Sequence, residues 1–133
     1  MADPTPRVTP YLLYEDLPGA LDWLAKAFGF RETLRMAGPD GKPVHAEMRL
    51  GEDGVILMGW PGPQYRNPRR LGQATQNLYV RIEDIDNHFD RAVKAGAVVL
   101  EKPADQNYGD RRYGVEDPEG HRWYFAQTIA KAG

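Results

Sequence analysis

Two segments of the chain carry apolar residues at the three- and four-residue spacing that is typical of an amphipathic helix. Asp16 precedes the first segment as an N-cap, and Gly29 is placed to end it. Asp84 opens the second segment, and Gly96 follows its last apolar position. The apolar positions of the two segments are Leu17, Ala20, Leu21, Leu24 and Phe28, then Ile85, Phe89, Ala92 and Val93. The pattern therefore predicts two helices, each opened by an aspartate and ended by a glycine.

The two helical segments are copies of one another. EDLPGALDWLAKA (15–27) and EDIDNHFDRAVKA (83–95) match at Glu, Asp, Asp, Lys and Ala, with a constant offset of 68 residues. Tyr11 and Tyr79 fall at the same offset. This spacing indicates an internal duplication of about half the chain.

Strand signals flank each predicted helix, so both halves follow the order strand–helix–strand–strand–strand. Apolar residues alternate with polar or aromatic ones in 44–50 and 77–82, which predicts one strand face against the helices and one face away from them. The positions facing away are His45, Glu47, Arg49, Asn77, Tyr79 and Arg81. The pattern predicts a single domain over 1–133, with module one at 7–59, a connecting loop at 60–74 and module two at 75–128.

Composition narrows the range of functions. The 133 residues include no cysteine, which excludes disulfides, thiolate metal sites and a cysteine nucleophile. Seventeen basic and nineteen acidic residues give a formal charge of −2, which favours neither nucleic acid nor a membrane as a partner. No apolar stretch has the length of a signal or membrane-spanning segment, so we expect a cytoplasmic protein.

The two βαβββ units and the ending YGDRRYGVEDPEGHRWYFAQ (108–127) resemble the vicinal oxygen chelate superfamily. This superfamily includes glyoxalases, extradiol dioxygenases, fosfomycin-modifying enzymes and bleomycin-resistance proteins. The resemblance implies an α+β fold in which two βαβββ modules form a curved mixed sheet that encloses a cup-shaped cavity. It also implies a homodimer.

Metal-dependent members of that superfamily place imidazole or carboxylate ligands on the first and last strand of each module. Here the matching positions hold Thr9, Met58, Asn77 and Tyr124, and none of these is a strong metal ligand. The chain is therefore closest to the metal-free, bleomycin-resistance-like members. We expect no metal and no other cofactor.

Aromatic residues dominate the candidate binding site. Several tyrosines fall on the face predicted to line the cup, and further aromatic residues lie in the two loops expected at its rim. Aromatic walls with a few polar groups hold planar ligands. Tyr11 and Tyr79 would alternatively fill the seam between modules. The ligand-binding candidates are Tyr11, Glu47, Arg49, Met58, Trp60, Tyr65, Asn77, Tyr79, Arg81, Tyr108, Arg112 and Tyr124.

No catalytic residue is assigned by the sequence, but His45 and Glu47 are candidates because they share one strand face and could move a proton. A cross-strand charge ladder would explain the same pattern. We expect His88 to be exposed to solvent and His121 to fasten the DPEG turn (117–120).

The sequence thus favours metal-independent binding and sequestration of a hydrophobic or aromatic small molecule, such as an antibiotic. The alternative is an enzyme like a glyoxalase or a dioxygenase, with atypical metal ligands or acid–base chemistry through His45 and Glu47. A regulatory or partner-binding module is a third interpretation.

Overall fold

The structure of the protein is a computed structural model that describes residues 6–129. The described part of the chain divides into two compact units, residues 6–66 and residues 67–129. The division falls inside the predicted connection at 60–74.

The first unit is a four-stranded mixed sheet with one helix. β1 is parallel to its neighbour β4, and the remaining pairs are antiparallel, in the order β1-β4-β3-β2. The elements are β1 Tyr11–Leu13, α1 Leu17–Phe28, β2 Arg31–Ala37, β3 Pro43–Leu50 and β4 Gly54–Gly59.

The second unit repeats this arrangement. Its sheet has the order β5-β8-β7-β6, with β5 parallel to β8. A four-residue helix, α2, precedes it. The elements are α2 Pro68–Leu71, β5 Asn77–Arg81, α3 Ile85–Lys94, β6 Val98–Asp105, β7 Asp110–Glu116 and β8 Arg122–Thr128. The predicted α+β fold of two βαβββ modules is confirmed. The helices described between residues 6 and 129 all lack the length and the apolar composition of a membrane-spanning segment.

The ends of α1 follow the local signals in the sequence. Asp16 Oδ1 accepts a hydrogen bond from the backbone N–H of Gly19 at 3.0 Å. Gly29 ends the helix with φ of 84°, a left-handed conformation that glycine adopts without steric cost. The predicted bounds of this helix are confirmed.

The N-terminus of α3 is capped differently, although it begins where the sequence predicts. Asp84 has φ 54° and ψ 57°, and its side chain makes no capping hydrogen bond. Its Oδ2 instead accepts from Asn87 Nδ2 at 2.7 Å. The backbone N–H of Ile85 donates to Gln127 Oε1 at 3.1 Å, so strand β8 supplies the acceptor that the helix end needs.

The face of the second sheet that packs on α3 is aromatic. Phe125 and Trp123 are fully buried. His88 on α3 lies with its ring centroid 4.4 Å from that of Phe125, and its Nδ1 is 2.6 Å from the hydroxyl of Tyr113. The prediction that His88 is exposed to solvent was wrong, because this half-buried side chain lies against Phe125 and Tyr113.

The turn at 117–120 is held by Asp117. Its Oδ1 accepts from the backbone N–H groups of Glu119 and His121, at 3.0 and 3.1 Å, and its Oδ2 accepts from Trp123 Nε1 at 3.1 Å. His121 therefore takes part in the turn through its backbone N–H, which donates to the carboxylate of Asp117.

Candidate functional site

The face of the second sheet opposite α3 carries a cluster of tyrosine and charged side chains. Cross-strand pairing places Tyr79 beside Tyr124, and Arg81 in one row with Arg112. Tyr108 lies in the loop between β6 and β7. We call this cluster the tyrosine face: Tyr79, Arg81, Tyr108, Asp110, Arg112 and Tyr124.

Asp110 is the buried anchor of the tyrosine face, with only 5% of its surface exposed. Its Oδ2 accepts from the Tyr79 hydroxyl at 2.7 Å, and Arg81 Nη1 lies 3.1 Å from its Oδ1. Arg81 Nη1 also donates to Thr128 Oγ1 at 3.1 Å. These donors, Tyr79 first and Arg81 second, hold the pKa of the Asp110 carboxyl below its ordinary value. Asp110 is therefore an anion that orients the groups around it.

Arg112 connects the aromatic members of the tyrosine face. Its Nε and Nη2 both donate to the carboxylate of Glu101 at 3.1 Å, a two-point ion pair. Its Nη1 donates to the hydroxyl of Tyr108 at 3.2 Å. The guanidinium carbon lies 5.4 Å from the centroid of the Tyr124 ring, within the range of a cation–π contact. Glu101 and Tyr108 thus hold the Arg112 guanidinium against the Tyr124 ring in the absence of a ligand.

The first unit places its candidate residues in two separate contacts. The Tyr11 hydroxyl lies 2.8 Å from His45 Nδ1. Glu47 instead pairs with Arg49, whose Nε is 3.0 Å from its Oε2. Hydrogen bonds from Thr33 and then from Arg49 hold the pKa of Glu47 below its ordinary value. The structure therefore joins His45 to Tyr11, and Glu47 to a buried arginine.

Met58 is a correction to the predicted site. It is fully buried and pairs with Leu12 and Ala46, which are buried too. The row on the other face of the strand belongs to Leu57, which pairs with Tyr11 and Glu47. Because side chains alternate along a strand, an error of one residue moves a position to the opposite face. Met58 is a core residue and does not line a site on the face that carries Tyr11.

Three further candidates take separate positions. Trp60 is 39% exposed and lines a cavity of about 530 Å³ in the first unit, together with Asp16, Asp40 and other residues. Tyr65 donates from its hydroxyl to the carbonyl of Leu13 at 3.0 Å, which ties the following loop to the end of β1. Asn77 is exposed at the start of β5, opposite Arg122.

The donor set of the described residues does not fit the divalent metal that metal-dependent members of the superfamily bind. With the register corrected, the four matching positions are Thr9, Leu57, Asn77 and Tyr124. Among residues 6–129, no three His, Asp or Glu side chains lie together in a way that could hold a metal ion. A first-row metal with open coordination positions needs several such ligands to converge.

Two members of the tyrosine face's network were missed by sequence reasoning: Asp110 and Glu101. Asp110 lies two residues before Arg112 on β7, so alternation along this strand would have placed Asp110 on the same face as Arg112. Glu101 carried no comparable signal, because β6 pairs with β7 through two irregularities that shift its phase.

Comparison with known proteins agrees with this architecture. Residues 7–125 match the family model described as the Glyoxalase/Bleomycin resistance protein/Dioxygenase superfamily. The solved structure of TioX from Micromonospora sp. ML1 is 33% identical, covers 94% of this chain and 100% of its own, and superimposes with a TM-score of 0.76. An uncharacterized protein of Mycobacterium tuberculosis (strain ATCC 25618 / H37Rv), Rv0887c, is 36% identical over 128 residues, which are 93% of this chain and 75% of that protein.

A more distant structure shows the same fold. The fosfomycin resistance protein FosX from Mesorhizobium loti is 15% identical, with a TM-score of 0.64, over 97% of this chain and 95% of its own. The fold and the family model together define a protein of two βαβββ modules. The chain belongs to the Glyoxalase/Bleomycin resistance protein/Dioxygenase superfamily.

Proposed function

We propose that the protein binds and sequesters an aromatic small molecule, such as an antibiotic of the bleomycin class, without a metal ion. The observation that carries this proposal is the tyrosine face, where Tyr79 and Tyr108 are 45% and 50% exposed and Arg112 lies against the ring of Tyr124. Tyrosine rings supply large, rigid contact areas that lose little conformational entropy on binding. The superfamily's description, which includes bleomycin resistance proteins, agrees with such a role.

The tyrosine face is also organised in advance of binding. Glu101 and Tyr108 fix Arg112, and Asp110 fixes Tyr79 and Arg81. A ligand that stacks on these side chains does not have to order them first, which lowers the entropic cost of binding. Binding alone, without chemical change of the ligand, would then protect the cell by lowering the free concentration of the compound.

The test is a calorimetric titration of the purified protein, with and without EDTA, using metal-free bleomycin, 2-naphthol and 2-methoxynaphthalene. We expect saturable binding of an aromatic probe that EDTA does not weaken, and a several-fold loss of affinity in Arg112→Ala. Arg111→Ala is the matched control, because Arg111 lies on the same strand, faces α3, and pairs with Asp86 and Asp105. Loss of binding in EDTA, failure of every probe, or an equal loss in Arg111→Ala would overturn the proposal.

A second candidate function is acid–base catalysis of a glyoxalase-like reaction, and the observation that favours it is the 2.8 Å contact between Tyr11 and His45. A histidine with a tyrosine partner can accept or deliver a proton. Glu47 is less suited to act as a base, since its lowered pKa and its contacts with Arg49 and Thr33 stabilise the carboxylate. Isomerisation of the hemithioacetal of methylglyoxal, lost in His45→Ala and retained in Arg112→Ala, would favour this function over sequestration.

We further propose that the protein acts in the cytoplasm as a homodimer. The resemblance to dimeric superfamily members supports this assembly, as do the apolar residues of edge strand β6. Val98, Val99 and Leu100 there are 44%, 39% and 36% exposed. Sedimentation equilibrium would return twice the chain mass of 15.0 kDa if the proposal holds.

A further inference from the structure

Four groups of the tyrosine face lie in a continuous line of hydrogen bonds. Arg112 Nη1 is 3.2 Å from the Tyr108 hydroxyl. The Tyr108 hydroxyl is 3.3 Å from that of Tyr79, which is 2.7 Å from Asp110 Oδ2. The line joins a guanidinium at one end to a carboxylate at the other.

The two ends determine the direction of every hydrogen bond between them. A guanidinium can only donate, and an ionised carboxylate can only accept. Tyr108 therefore accepts from Arg112 and donates to Tyr79, and Tyr79 donates to Asp110. Burial, followed by the contacts with Tyr108 and Asp110, raises the pKa of Tyr79, so its hydroxyl keeps the proton that the line requires.

This direction decides what the two hydroxyls can offer a ligand. Each tyrosine hydroxyl has one proton to donate and lone pairs to accept with. Both protons point along the line, so only lone pairs on Tyr79 and Tyr108 remain for a third group. Tyr79 and Tyr108 are 45% and 50% exposed, so a ligand can reach them.

We infer that the tyrosine face selects aromatic ligands that carry a hydrogen-bond donor beside the ring, such as a phenolic hydroxyl or an amide N–H. A ligand with only an acceptor at that point meets two oxygen atoms with no proton to share. This inference rests on the proposed function, because it specifies the ligand class of the same site.

The charged groups nearby require neutral probes. The side chain of Arg81 is 63% exposed and would attract any carboxylate regardless of the line of hydrogen bonds. 2-Naphthol and 2-methoxynaphthalene are both neutral and nearly equal in shape, and only 2-naphthol has a donor. Their affinities therefore report on hydrogen-bond direction and not on charge.

The experiment compares these two probes by calorimetry in the wild-type protein and in Tyr79→Phe. We expect the wild type to bind 2-naphthol about 3- to 10-fold more tightly, as one hydrogen bond allows. Tyr79→Phe removes the acceptor for Tyr108, so the Tyr108 proton becomes available to the ether and the ratio of affinities falls towards one. Tyr113→Phe is the control, since its hydroxyl lies on the face towards α3 and contacts His88; the ratio should not change.

The outcomes separate the two proposals. Equal affinities in the wild type, a preference for the ether, or an unchanged ratio in Tyr79→Phe would overturn donor selection and leave sequestration standing. Failure of 2-naphthol to bind a protein that binds bleomycin would also overturn donor selection. Failure of every aromatic probe would overturn the proposed function itself.

Discussion

The ring of Tyr124 lies directly over Gly114, its cross-strand partner in β7. A Cβ atom at Gly114 would lie 2.5 Å from Cε1 of that ring, closer than side chains approach one another. The first unit has a related contact, in which a Cβ atom at Gly59 would lie 2.8 Å from the Tyr11 ring. In each unit a glycine on the helix-free face thus makes room for a tyrosine ring to lie flat on the sheet.

Gly114→Ala should therefore displace the Tyr124 ring and destabilise the protein. Overpacking of this kind costs about 1–3 kcal/mol. The double variant Gly114→Ala/Tyr124→Ala should lose less stability than the sum of the two single variants, because removal of the ring frees the space. Urea unfolding of all four proteins measures this coupling. Strictly additive losses would show that the two residues do not share this space.

Asp110 should contribute to stability in a pH-dependent manner. Its pKa in the folded protein lies below the ordinary value of 3.8, so its contribution is present above that pH and is lost as pH falls through the folded pKa. Asp110→Asn should lower stability at neutral pH and flatten the decline below about pH 4. Asp86→Asn is the control, since Asp86 also pairs with an arginine but has a side chain that is 66% exposed. Urea midpoints between pH 2.5 and 7 would contradict this account if both variants followed the wild type in parallel.

The parts of the fold that the sequence predicts are those that local chemistry decides. Asp16 and Gly29 set the ends of α1 through contacts within a few residues. Alternation in β3 and β5 assigns their faces. Strand β4 has no alternation, since its residues 55–58 are all apolar. The sequence therefore leaves the phase of this strand open, and the predicted alignment puts Met58 on the wrong face.

The parts that could not be predicted depend on contacts between distant segments. The role of Asp110 requires Tyr79 and Arg81, which lie 31 and 29 residues away along the chain. Gln127 caps the N-terminus of α3 by accepting a hydrogen bond from the backbone N–H of Ile85, which lies 42 residues away along the chain. A local sequence pattern cannot predict these pairings, because they depend on the register between strands that are distant in the sequence.

Tyr113 should make stability depend on pH in the alkaline range. Burial raises its pKa above the ordinary value of 10.0, so its contribution is complete below that pH and is lost as pH rises beyond it. Tyr113→Phe should cost about 1 kcal/mol at neutral pH through loss of the contact with His88, and should reduce the decline above pH 10. The raised pKa of Tyr79 contributes to the same decline, so the reduction is partial. Urea midpoints at pH 8, 10 and 11 test this expectation, and a decline as steep as that of the wild type would contradict it.

Arg69 should hold helix α2 to the turn at 117–120. Its Nε donates to the carbonyl of Pro118 at 2.8 Å, and its Nη2 donates to the carbonyl of Asp117 at 3.0 Å. Its backbone N–H donates to the carbonyl of Glu119 at 2.9 Å. Arg69→Ala should lower the free energy of unfolding by about 1–2 kcal/mol. This is less than the loss of two fully buried hydrogen bonds from a charged donor, because the Arg69 side chain is 44% exposed.

Arg69→Lys separates the geometry of this contact from its charge. Lysine keeps the positive charge near Glu116 but cannot donate to two carbonyls from one planar group. We therefore expect Arg69→Lys to lose most of the stability that Arg69→Ala loses, and both variants to expose the turn to faster amide exchange at Gly120. Full stability in Arg69→Lys would show that charge alone holds α2 in place. Urea unfolding and hydrogen exchange followed by mass spectrometry distinguish these results.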